Sequence, residues 1–571
     1  RDDVESRGLG DVYKRQRERI PLDSKLGGTQ GSAFLVCGFI HFADKIRFGF
    51  GKRRLIKASV YPFSSLHVKA LKAGRKILGK SRRPIVEEVL NFRMLFSQDS
   101  EKLLFLFSGC QTAICDNITQ KLHPSSQFRG FFLKCLKSKR FINDIEKAKA
   151  EGYKDIRDII KNGGEVKAGD KLYAVCMNKT IALFHMGTKP LTEGMNILGA
   201  HIDSPRIDVK QNPLYENEEF AYLDTHYYGG IKKYQWVTLP LALHGVIAKK
   251  DGTTVQVSIG EKEDDPVFVI TDLLIHLASK QMEKKAATVV EGEKLDLLIG
   301  SRPIEQDETL EEKEKEAVKA NVINLLKQYY DMEEEDFLSA ELEIVPAGKA
   351  RDCGLDRSMV LAYGQDDRVC AFTSLFAMLD VKEVEHTACC ILVDKEEIGS
   401  VGATGMHSRF FENTVAELVA LTEGESDLKV RRALMNSRML SSDVSAAYDP
   451  MYAEVFEKRS SAFFGKGLVF NKFTGARGKS GSNDANAEYL AKIRNAMDAQ
   501  SVAYQFAELG KVDAGGGGTI AYIMANYGME VIDSGVAVLS MHAPWEVTSK
   551  ADVYEAVSYT HLRAHETRRH L

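Results

Sequence analysis

The stretch Thr387-Ala388-Cys389-Cys390-Ile391-Leu392-Val393-Asp394-Lys395-Glu396-Glu397-Ile398-Gly399-Ser400 decides the architecture. Its apolar, β-branched half reads as a buried strand. Adjacent carboxylates follow, then a glycine turn. In extended chain, neighbouring side chains point to opposite faces. One of Glu396 and Glu397 can therefore hold a cation while the other stays free as a base. A solvated strand end has the same appearance, and the pair alone favours that plainer reading.

Working outward, four more segments repeat the pattern of an apolar strand with a polar residue at its carboxyl end. Met195–Ala200 delivers His201, and Met359–Tyr363 leads to Asp366 and Asp367. Leu440–Ser442 ends at Asp443, and Gly535–Ser540 leads to His542. Strands alternate with helical patterns after residue 358, which predicts an α/β sheet. The carboxyl edge of such a sheet is where ligands bind. Two imidazoles with several carboxylates suit a divalent cation, zinc above all. Each residue alone has a dull explanation: a histidine after a strand is usually structural, and an Asp pair often caps a helix. Recurrence in five segments makes coincidence a poor account. Asp203, two residues past His201, is placed to accept the other ring N–H of a metal-bound imidazole.

The totals bound the rest. A chain of 571 residues exceeds one ordinary core. No apolar run reaches the roughly 18 residues of a membrane-spanning helix, and no secretory-signal layout opens the chain. Nine cysteines form no paired metal or disulfide spacing and read as free thiols in a reducing cytoplasm. The net charge of −3 hides an asymmetry, since residues 17–140 carry 24 Lys and Arg against 8 Asp and Glu. That basic arm has no nucleic-acid recognition motif, so neither a nucleic-acid nor a membrane partner is expected.

The chain divides by texture. Residues 1–137 are expected to be a non-native or artefactual region and 557–571 an artefactual tail: residues 1–16 and the tail look like translated sequencing-adaptor read-through, and 17–137 like out-of-frame or non-coding translation, with a real, divergent basic extension as the alternative. Residues 138–205 are read as the first part of a catalytic domain, 206–357 as an inserted domain, and 358–556 as the second catalytic part. The glycine runs Gly399–Gly405 and Gly515–Gly518 lack the GKS/T ending of a phosphate loop. They read as turns beside the site.

As a set, His201-Ile-Asp-Ser-Pro205, Gly364-Gln-Asp-Asp-Arg368, Asp394-Lys-Glu-Glu-Ile-Gly-Ser400, Ser442-Asp443 and Ser540-Met-His542 resemble the aspartyl aminopeptidase family over about residues 138–556. The resemblance implies a phosphorylase/hydrolase-like mixed-sheet catalytic domain with an inserted β-rich dimerisation domain. It implies two Zn2+ per subunit, with Co2+ or Mn2+ as substitutes. Asp366 would bridge them, His201 and Asp443 completing one shell and Glu397 and His542 the other. Glu396 would be the general base on a metal-bridging water, with Asp203 and Asp367 supporting the ligands. In this family an asparagine usually stands where Asp367 does. His276 would reach a neighbouring subunit's site, with a packed helix histidine as the alternative. Lys472 would supply a cationic substrate contact. The expected protein is a cytoplasmic homo-oligomer, commonly a dodecamer, acting on peptides with a free N-terminus. Two competing readings are another dinuclear amidohydrolase (a carboxypeptidase or deacylase) and a non-catalytic binding protein on a peptidase scaffold.

Overall fold

The computed structural model describes residues 142–305 and 315–564. The expectations for residues 1–137 and for the end of the tail lie outside the described residues. Four strands come first: Lys154–Asp155 (β1), Lys171–Cys176 (β2), Thr180–His185 (β3) and Asn196–His201 (β4). Six follow between 206 and 346: Arg206–Asn217 (β5), Phe220–Tyr228 (β6), Leu241–Ala248 (β7), Thr254–Ile259 (β8), Leu297–Gly300 (β9) and Ala340–Pro346 (β10). The remainder are Arg351–Cys353 (β11), Met359–Ala362 (β12), Ala388–Val393 (β13), Arg438–Ser442 (β14), Ser445–Ala446 (β15), Leu468–Asn471 (β16), Tyr504–Phe506 (β17), Glu530–Gly535 (β18), Ala537–Leu539 (β19) and Glu546–Ser549 (β20).

They form three sheets. The largest has the order β1-β2-β3-β13-β4-β14-β18-β16-β17. Its centre, β13-β4-β14-β18, is parallel, and β3 and β16 flank that centre antiparallel. The mixed α/β architecture therefore agrees with the sequence. All six residues of β13 are buried, as a strand covered on both faces requires. Ala388, Cys390 and Leu392 enter one core with the helix Gln365–Asp380, whereas Cys389, Ile391 and Val393 enter the other with the helix Phe410–Glu423. Gly199 of β4 lets Met439 pack close, since a Cβ there would sit 2.1 Å from the Met439 methyl.

The six strands between 206 and 346 make a sheet of their own, ordered β8-β7-β10-β5-β6-β9, around buried Trp236. The chain leaves the large sheet after β4 and re-enters it at β13. A third sheet, β11-β12-β20-β19-β15, was not foreseen. The single strand expected over Gly535–Ser540 is in fact the end of β18 followed by β19 in a different sheet. This hand-over matters because the third sheet carries Asp366 just after β12 and His542 between β19 and β20.

Candidate metal centre

His201 is the last residue of β4, in register with Val393 of β13. Its Nδ1 lies 3.1 Å from the Asp203 carbonyl oxygen and 3.2 Å from Asp203 Oδ1. A carbonyl only accepts, so Nδ1 carries the hydrogen and Nε2 offers its lone pair. That lone pair faces acids: Asp366 Oδ1 at 3.2 Å, Asp443 Oδ1 at 3.8 Å and Glu396 Oε2 at 4.0 Å. His542 repeats the arrangement. Its Nδ1 donates to the Gly230 carbonyl at 2.9 Å, and Nε2 lies 3.3 Å from Asp366 Oδ2 and 3.4 Å from Glu397 Oε2. Asp366 thus stands between two imidazoles, one oxygen toward each.

Asp366, Asp367 and His201 are buried. Asp366 Oδ1, Asp367 Oδ1 and Glu397 Oε1 are buried without a hydrogen-bond partner. An orphaned buried carboxylate oxygen is costly, and a cation removes that cost. Ligand atoms of His201/Glu396/Asp443, of His201/Asp366/Glu397 and of Asp366/Asp367/Asp443 lie within 4.8 Å of one another in each set. Nitrogen and carboxylate donors at this density fit zinc.

Protonation carries the same message. Burial raises Glu396 to about 8 and Glu397 to about 9, with Asp366 adding to both. Asp443 is also raised, chiefly by burial. Burial opposes charge on His542, yet Asp366 and Glu397 lift it to about 10. Burial likewise works against charge on His201, and the carboxylates of Asp203, Asp366 and Asp443 around it overcome that, so the metal-free ring is charged and its Nε2 lone pair becomes available as a cation displaces the proton. Without a cation, this cluster gathers protons to balance its acids. A bound divalent ion displaces those protons.

Asp203 does more than orient His201. Its Oδ1 also accepts from the Glu396 N–H and its Oδ2 from the Glu397 N–H, both at 3.1 Å. Oδ2 further accepts from Tyr228 O–H at 2.9 Å. One carboxylate therefore fixes the imidazole and the acidic turn together. Glu396 and Glu397 do not diverge by strand alternation, contrary to the sequence argument. They lie in a one-turn 3-10 segment, Glu396–Ile398, entered through Lys395 at φ 66°. The helical turn separates their directions.

The other expected residues are placed apart. Lys472 is exposed, one residue beyond β16. His276 lies on an exposed single turn, Ile275–Leu277, away from the cluster's own ligating groups. Gly515 and Gly516 serve chain-on-chain packing: a Cβ would come 1.7 Å from the Leu509 carbonyl oxygen or 2.5 Å from Ala476 Cα. Sequence reading missed Glu546, a buried carboxylate four residues past His542. It also missed Gly230 and Tyr228, which lie far along the chain from the groups they bind. Nothing local marks any of the three.

Residues 140–562 match the family described as Aminopeptidase I zinc metalloprotease (M18). The chain belongs to the M18 aminopeptidases. This M18 chain is 60% identical over 430 residues to a probable M18 family aminopeptidase 1 of Clostridium acetobutylicum, covering 75% of this chain and 91% of that protein. The corresponding protein of Thermotoga maritima is 45% identical over 437 residues, covering 74% and 95%. The crystal structure of aminopeptidase I from Clostridium acetobutylicum aligns with a TM-score of 0.72 at 58% identity, covering 77% of this chain and 94% of that one. A Thermotoga maritima M18 aminopeptidase structure gives 0.73 at 40% identity, covering 78% and 98%. The M18 chain is thus a zinc metallo-aminopeptidase, a hydrolase of peptide bonds, as the resemblance implied. Neither competing reading is favoured.

Proposed function

We propose that the cluster holds two divalent ions and removes the N-terminal residue of peptides with a free amine. The observation that carries this is Asp366, set between His201 and His542 with one oxygen toward each. In this reading Asp366 is the shared ligand. His201 and Asp443 complete one ion's shell, and Glu397 and His542 the other's. Asp203 and Asp367 support them, Asp367 accepting from the His201 N–H at 3.4 Å. The ions are Zn2+, with Co2+ or Mn2+ as substitutes.

Two such ions supply positive charge that acidifies a water near neutral pH and polarises the scissile carbonyl. Glu396 does the proton work. Its Oε2 stands on the His201 side of the cluster, and its backbone N–H is pinned by Asp203. It takes the proton of the attacking water and returns it to the leaving amine. The surplus of carboxylates favours a protonated substrate α-amine, which explains restriction to free N-termini. Lys472 remains a proposed cationic contact for the substrate.

The sheet of residues 206–346 is read as an inserted dimerisation domain in a phosphorylase/hydrolase-like scaffold. Beside it, Leu273, Leu274, Ile275 and Leu277 are exposed, Leu277 by 69%. Such a contiguous apolar stretch favours burial by another copy. That contact would carry His276 to the neighbour's site in a homo-oligomer, and a dodecamer is the proposed assembly. A cytoplasmic setting suits the free thiols of Cys176, Cys353, Cys370, Cys389 and Cys390. No helix among the described residues is long and apolar enough to cross a membrane.

The direct test assays free and N-acetylated peptides with and without chelator. Hydrolysis of free-amine peptides that chelator abolishes is the expected result. Preference for blocked peptides would overturn the reading.

A further inference from the structure

The two halves of the cluster are not held alike. His201 is gripped through Asp203, at the end of a central strand. His542 sits in the loop between β19 and β20, with 35% of its side chain exposed. Its partner Asp366 lies in the irregular first turn of the helix Gln365–Asp380, just past β12. The distance between the His542 imidazole and Asp366 depends on two backbones that are far apart in sequence. One buried side chain joins them. Glu546 Oε1 accepts from the His542 N–H at 2.8 Å, and Oε2 accepts from the Asp366 N–H at 3.1 Å.

The position of Glu546 makes the clamp stiff. It is 1% exposed, at the start of β20, opposite Ala362 of β12. Its own carbonyl accepts from Gln365 Nε2 at 2.6 Å. Thr548 donates to the Gln365 side-chain oxygen, so the neighbouring amide is fixed as well. Both carboxylate oxygens are committed to backbone N–H groups. A buried acid tied in this way is not a surface charge that happens to point inward.

We propose that Glu546 is a positioning residue that sets the Asp366–His542 half of the metal centre, and so governs the second ion's affinity and the turnover that depends on it. This rests on the two-ion reading above. Glu546 is proposed neither as a metal ligand nor as a proton donor to substrate. It acts by holding the two backbones at the separation their side chains need. An amide at this position would place N–H2 against one of two N–H donors and release one of the two backbones. Groups beyond the ligands typically change metal affinity about 10- to 100-fold when lost.

The test compares the full chain with Glu546→Gln and with Thr548→Val, each loaded with zinc. Metal content is measured by elemental analysis, affinity by chelator competition, and kcat and KM separately. The wild type is expected to hold two ions per chain. Glu546→Gln is expected to hold one tightly and the second about 10- to 100-fold more weakly, with the loss in kcat exceeding any change in KM. Thr548→Val removes a hydrogen bond of the same buried network without touching the clamp. It is expected to keep both ions. Two ions at wild-type affinity in Glu546→Gln would overturn the proposal. So would equal metal loss in Thr548→Val, or a Glu546→Gln chain that fails to fold, because the residue would then serve the fold and not the site. A wild type that binds a single ion would instead refute the two-ion reading.

Discussion

Two groups of acids in this protein are treated in opposite ways. On the six-stranded region, Asp331 lies 2.7 Å from Lys249 Nζ and 2.8 Å from Lys327 Nζ, and these cations bring it down to about 2. Glu291 is lowered in the same fashion by Lys284 and Lys294. At the carboxyl edge of the large sheet, Glu396 and Glu397 are pushed up to about 8 and 9 by burial and by each other's neighbours. Among the described residues, cations pair with the first group, and two imidazoles face the second. An acid whose counter-charge comes from its own chain is finished when folding ends. Buried acids short of counter-charge await a cation from solution.

The strongest way to break this contrast is at Glu396. Glu396→Gln is expected to keep its metal yet lose about 100- to 10,000-fold in kcat, the usual range for a positioned base. Elemental analysis alongside kinetics checks both halves, and a fully active variant would remove Glu396 from the chemistry. Asp203→Asn ranks next. It weakens the grip on His201 and on the acidic turn together, and is expected to cost about 10- to 100-fold in zinc affinity, read by chelator competition.

The pH dependence of the metal-free protein sharpens the contrast further. Glu396 and Glu397 have folded pKa values above the usual carboxylate range. Their contribution to stability is therefore complete below the unfolded carboxylate pKa and is lost as pH rises toward the folded values. The same sign holds for His542, raised to about 10. Thermal unfolding in chelator should show stability falling from about pH 5 to about pH 9. Added zinc should stabilise increasingly as pH rises over that window. A flat profile would mean that the acids are already compensated. The smallest effect is expected at the surface group: Asp331→Asn should leave kcat, KM and zinc content unchanged, and any stability change should fade in high salt.

Much of the site was legible because strand ends are legible. β4, β13 and β14 are apolar runs that stop at His201, Asp394 and Ser442, and periodicity finds such runs easily. The proposed ligands recur at or just past those stops. What stayed hidden depends on contacts between distant segments. Glu546 reads as an ordinary acid until β20 pairs with β12, and no local pattern announces that pairing. The divergence of Glu396 and Glu397 was expected for the wrong reason, because one residue at positive φ, Lys395, turned a strand end into a helical turn. The strand expected over Gly535–Ser540 hid a change of sheet, since continuous hydrophobicity does not say which sheet a strand joins.

The order in which the ligating candidates occur along the chain has a consequence for the cell that makes it. They span residues 201 to 542, and the clamp at Glu546 comes later still. Contacts of such long sequence separation form late. During synthesis, Asp366 cannot meet His542 until the chain through β20 has left the ribosome. A product ending after β18 would lack His542 and Glu546 and is expected to be inactive, which an assay of such a truncated chain checks. Competence for cutting peptides is thus delayed until the segment carrying His542 has been made, a safeguard that follows from connectivity.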